Sequence, residues 1–89
     1  MISEEEVRKI GLAVAKRLQG QRQAIPMSKN ALAQKAGVSV QSVSFIENGV
    51  NSPSLSTLLR ICDALGVELE TILKESKQQT TDSRESQTR

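Results

Sequence analysis

The sequence predicts an all-α domain of five helices. Three features carry that reading: apolar residues recurring at intervals of three and four, serines where helices begin, and glycines where they end. No segment alternates polar and apolar residues as a half-buried strand does. At 89 residues the chain holds one core, and a domain of that length folds without metal or disulfide support.

Ser3 with Glu6 forms a capping-box pattern, Ile2 and Val7 stand at staple positions, and Glu4-Glu5-Glu6 suits the positive end of a helix dipole. Val7, Ile10, Val14 and Leu18 then predict a buried stripe running to about Gln23, with Pro26 disfavouring helical geometry at Ile25. Ser28 is placed to cap a second helix that carries Leu32, Ala33 and Ala36 and stops at Gly37. Ser39 caps a short third helix, Val40 to Asn48, with Val43 and Ile46 as its apolar stripe and Gly49 as its stop. Beyond Asn51-Ser52-Pro53, Ser54 caps a fourth helix bearing Leu55, Leu58, Leu59, Ile61, Cys62 and Leu65, ended by Gly66. Leu69, Ile72 and Leu73 mark the fifth.

The domain is expected to span residues 1–75. From Ser76 to Arg89 no side chain is apolar, so burial cannot offset the entropy of ordering, and this segment reads as a polar, flexible tail, with the alternative that part of it extends the last helix. Leu65, Val67, Leu69, Ile72 and Leu73 exceed what one small core needs, which predicts a homodimer interface on helix five and the end of helix four.

Composition removes several classes of chemistry. One cysteine, Cys62, and no histidine leave no disulfide pair, no zinc cluster and no nucleophile with its base, so no metal, cofactor or enzymatic activity is expected. The apolar runs are short and the N-terminus is acidic where a secretory leader is positive, so no membrane partner is expected and a cytoplasmic location is the default. Charge is divided along the chain. Arg8, Lys9, Lys16, Arg17, Arg22, Lys29 and Lys35 meet no acidic residue between Val7 and Ile46, whereas Glu47, Asp63, Glu68, Glu70 and Glu75 outnumber Arg60 and Lys74 further on. That division fits a polyanion on one side of the domain.

Helix two ending at Ala36, a turn through Gly37-Val38-Ser39 and helix three starting at Val40 form the layout in which two helices meet at a steep angle. Leu32, Ala36, Val38, Val43 and Ile46 point into that angle, which leaves Gln41, Ser42, Phe45 and Asn48 on the outer face. A lone phenylalanine is most often a core residue, but Phe45 is one residue before Ile46 and two after Val43, so helical phase turns it away from them. Cys62 reads as a small buried hydrophobe.

Arg22 followed by Ser28, Leu32-Ala33, Ala36-Gly37-Val38-Ser39, Val43-Ser44, Ile46-Glu47-Asn48-Gly49, Pro53-Ser54 and Leu65-Gly66-Val67 stand at fixed spacing across four helices. With these residues the chain resembles the Cro/CI-type, xenobiotic-response-element family of helix-turn-helix regulators, from about Leu18 to Leu73. The resemblance implies a five-helix, lambda-repressor-like DNA-binding domain, with the helix-turn-helix formed by helices two and three. It also implies a homodimer on double-stranded DNA and a role as a transcriptional regulator, a repressor. The family includes antitoxins as well, so the alternative is an antitoxin or co-regulator gripping a protein partner such as a toxin through helices four and five or the tail.

Carried over position by position, the resemblance places Val40, Gln41, Ser42 and Phe45 among residues that contact bases, and Ser28, Lys29, Lys35, Asn48 and Asn51 among those that contact phosphate. Chemistry fits this assignment at Gln41, whose amide matches adenine N7 and N6, and at Ser42, which serves a base or a phosphate. Val40 and Phe45 pack on a thymine methyl. Lys29 and the amides opening helix two suit a phosphate. Asn48 either touches phosphate or helps end its helix. Arg22 and Glu47 match a family pair that serves as scaffold. Two departures stand out: Gly49 to Pro53 has no Lys or Arg, and Met1 to Ala15 lies largely outside the match.

Overall fold

The computed structural model describes residues 1–49 and 53–88, with side chains as far as Gln79. Its five helices are α1 (Glu4–Ala24), α2 (Lys29–Ala36), α3 (Val40–Glu47), α4 (Leu55–Leu65) and α5 (Leu69–Thr88), and no strand occurs among the described residues. Four of the five starts share one local cause. The hydroxyls of Ser3, Ser28, Ser39 and Ser54 accept from the amides of Glu6, Ala31, Ser42 and Thr57 at 3.0–3.1 Å, satisfying donors that no earlier turn could reach. At Ser3 the box is closed by the Ser3 amide donating to the Glu6 carboxylate.

The ends of α2 and α4 share a second device. Gly37 and Gly66 take left-handed conformations with φ of +73° and +74°, while the amides of Val38 and Val67 donate back to the carbonyls of Ala33 and Cys62 at 3.0 Å. A side chain at either glycine would crowd its own backbone.

Leu18, Leu32, Val43 and Ile61 are the most enclosed apolar side chains and sit where α1, α2, α3 and α4 converge. α5 packs against α1 and brings Leu69 and Ile72 into the same core. This packing changes two sequence-based expectations. Leu65, Leu69 and Ile72 are buried within one chain and Val67 is half-buried against the core, so only Leu73 of the expected dimer residues remains exposed. The apolar excess is spent on docking α5. At the other end, the stripe on α1 begins at Ile10, because Val7 is 52 % exposed and the staple partner Ile2 is exposed with it.

Helix α5 also runs past the point where composition draws the domain's end. Ser76 is fully buried and its hydroxyl donates to the Ile72 carbonyl at 2.7 Å, so the packed domain includes it. On either side of it, Arg17 of α1 donates to the Glu75 carboxylate at 3.3 Å and to the Gln79 side-chain oxygen at 3.1 Å. A basic residue from another helix holds a segment that has no apolar side chains of its own.

Candidate nucleic-acid interface

Helices α2 and α3 are joined by three residues, and the left-handed Gly37 redirects the chain so that Ser39 can cap α3 immediately. Val43, Ile46 and Glu47 turn inward on α3. The opposite side is open: Val40 and Gln41 are exposed, and Ser42 and Phe45 are half-buried. Phe45 thus sits between the two sequence-based alternatives, neither in the core nor free in solvent. The Ser42 hydroxyl is close to the capping Ser39 hydroxyl, 2.8 Å away, which fixes its position at the start of the helix.

Around this face the polar candidates fall at both ends of the motif. Ser28 is exposed at the cap of α2, Lys29 is half-buried in its first turn and Lys35 is exposed in its last. The N-terminus of α2 therefore joins unpaired amides to a cation, the combination that favours a phosphate. Asn48 is exposed and closes α3, its amide donating to the Ser44 carbonyl at 3.0 Å. Asn51 lies outside the described residues.

Beneath the motif, Arg22 and Glu47 form a bidentate pair, Nε to Oε2 at 2.7 Å and Nη2 to Oε1 at 3.0 Å. They are 8 % and 7 % exposed, far more enclosed than two surface charges. The third arm of the guanidinium, Nη1, donates to the Met27 carbonyl at 2.8 Å. One side chain thus ties the end of α1, the turn before α2 and α3 together. The hydrogen bond from Arg22 to Glu47 holds the guanidinium above its ordinary pKa, opposed by burial and aided by the carboxylate's charge, so it is charged at every relevant pH.

Two participants escape sequence reasoning. The Met27 carbonyl is invisible to it because any residue type supplies a carbonyl. Arg60, on α4, has a guanidinium nitrogen 3.5 Å from where a Cβ on Gly37 would stand, which sets an exposed cation beside the turn of the motif. No sequence signal links the two, since they are on different helices. Among the described residues no cluster of three His, Cys, Asp or Glu could hold a metal, and no helix is long and apolar enough to cross a membrane.

A family model described as helix-turn-helix matches residues 18–72, more than half of the chain, and its span covers α2, α3, α4 and the Arg22–Glu47 pair. The chain belongs to the Cro/CI-type helix-turn-helix family. Among curated proteins none matches it. As a member of that family it is an all-α, lambda-repressor-like DNA-binding domain. This helix-turn-helix protein carries the motif on α2 and α3, while residues 1–17, which include the first two-thirds of α1, precede the matched span.

Proposed function

We propose that the chain is a sequence-specific transcriptional regulator, acting as a repressor, that binds an inverted-repeat operator as a homodimer and reads it with α3 in the major groove. The observation that carries this reading is the division of α3. Val43, Ile46 and Glu47 are consumed by the scaffold, while Val40 and Gln41 at the helix's first turn are left open beside Ser42 and Phe45. A groove-reading helix presents its N-terminal residues to base edges. Gln41 offers the amide that pairs with adenine, Ser42 a hydroxyl for base or phosphate, and Val40 and Phe45 apolar surface for a thymine methyl.

Lys29 and Ser28 at the start of α2, Lys35 at its end and Asn48 beyond α3 supply the phosphate contacts that set register. Repression follows where the bound operator overlaps a promoter. Selection of bound sequences from random duplex DNA tests the reading. It is expected to return a two-fold-symmetric site whose half-site centres lie about 34 Å apart. Recovery of no consensus at all would contradict it.

The competing reading, an antitoxin or co-regulator, has one observation in its favour: Leu55 and Leu59 are exposed one turn apart on α4. Co-purification of a stoichiometric protein partner lost on Leu55→Asp would favour it.

A further inference from the structure

The N-terminal half of α1 leaves an apolar face open. A groove of about 490 Å³ runs beside it, walled by Val7 and Leu12 of α1, Gly49 and Pro53 flanking the α3–α4 connection, Leu58 of α4 and Leu73 of α5. Val7 and Leu12 are 52 % and 44 % exposed, and Leu73 is the one residue of the expected apolar excess that one chain does not bury. Glu4 and Arg8 stand on the rim, one helical turn apart, and neither has an ion-pair partner among the described residues. Just ahead of the Ser3 cap, Met1 and Ile2 project exposed apolar side chains.

These features fit one another when the helix is doubled. In an antiparallel pair of α1 helices related by a two-fold axis midway between positions 4 and 8, each Glu4 meets the other chain's Arg8, so both unpaired charges are answered at once. Met1, Ile2 and Ser3 lie ahead of the helix, with Ser3 extended, so at about 3.3 Å per residue they carry Ile2 of one chain to the level of Leu12 of the other and Met1 toward Ala15. Nothing lies within 4 Å of a Cβ built on Gly11, which leaves room for that approach. Leu12 and Ala15 both line the groove. The apolar end of one chain therefore arrives at the apolar trough of the other.

We propose that this groove is the interface between two copies of the chain, with each N-terminus laid antiparallel over the other's α1, Met1 and Ile2 entering the trough and reciprocal Glu4–Arg8 pairs at its rim. The inference rests on the homodimer reading above and assigns it a face other than the buried surface of α5. It also gives residues 1–17, which precede the matched span, a role.

Charge exchange tests it in the full chain by sedimentation equilibrium, with helical melting as the check on folding. Glu4→Arg and Arg8→Glu each turn two attractions into two repulsions, so each variant is expected to dimerise about tenfold more weakly than the parent. The Glu4→Arg/Arg8→Glu double variant restores the parent value. An equimolar mixture of the two single variants forms heterodimers in preference to either homodimer. If the parent is a dimer and both folded single variants dimerise as it does, the face is wrong while the two-fold reading stands. A double variant that stays as weak as the singles also overturns the face. A parent that remains monomeric both free and on its selected site overturns the face and the homodimer reading together.

Discussion

The guanidinium of Arg22 holds both oxygens of the Glu47 carboxylate, joining the end of α1 to α3 across twenty-five positions of sequence, with only 10 % and 2 % of the two side chains exposed. Burial sets the magnitude. An exposed pair contributes at most about 1 kcal/mol, but removing one partner of a buried pair strands an unanswered charge at a cost of about 3–5 kcal/mol. Arg22→Ala is therefore expected to lower unfolding free energy by that larger amount in chemical denaturation. A loss under about 1 kcal/mol would mean that Glu47 finds another cation.

The glycines separate into two kinds with opposite expected signs. Gly20 lies inside α1 with nothing within 4 Å of a built Cβ, so Gly20→Ala should stabilise the domain by about 0.5–1 kcal/mol through helix propensity alone. Gly37 has φ of +73°, and its nearest neighbour, the Arg60 guanidinium, is at an ordinary contact distance, so Gly37→Ala meets backbone strain rather than a clash. It should destabilise by about 1–2 kcal/mol, read from thermal melts of the two variants side by side.

Cys62 is buried, and desolvation first, with the nearby charge of Glu70 second, pushes its thiol pKa up. The native thiol should resist alkylation at neutral pH and react at the rate of a free cysteine only after denaturant unfolds the chain. A folded-state pKa raised in this way contributes stability below the ordinary thiol range, which is lost as pH rises through it. Stability should therefore show no thiol-linked change near neutrality and fall at alkaline pH, a fall that Cys62→Ala reduces.

Much of the fold is legible in sequence because its signals are local. Ser3, Ser28, Ser39 and Ser54 each lie three residues before the amide they satisfy, and Gly37 and Gly66 act on their own backbone. What was not legible depends on distant partners. Val7 continues the periodic stripe of α1, yet no part of the described chain covers it, and Leu69 and Ile72 looked surplus until α5 docked on α1. Arg17 fastens Glu75 and Gln79 from fifty-eight and sixty-two positions away, contacts that composition does not reveal. On the candidate interface, helical phase separates Val43 and Ile46 from Gln41. It does not fix Phe45, whose half-burial is decided by neighbouring elements.

Gln41 and Lys29 test the central claim, that the open side of α3 reads bases while the start of α2 holds the backbone, because the two contacts fail differently. Both side chains lie outside the core, so both alanine variants should remain folded. Binding of each is measured against the selected operator and a scrambled duplex at several salt concentrations. Lys29→Ala should weaken both DNAs alike and lower the salt slope by about one unit per chain. Gln41→Ala should lose about 1–3 kcal/mol on the operator alone, with preference relaxed at one base pair and the scrambled duplex nearly unaffected. Equal loss on both duplexes for Gln41→Ala, with base preference intact, would contradict the account.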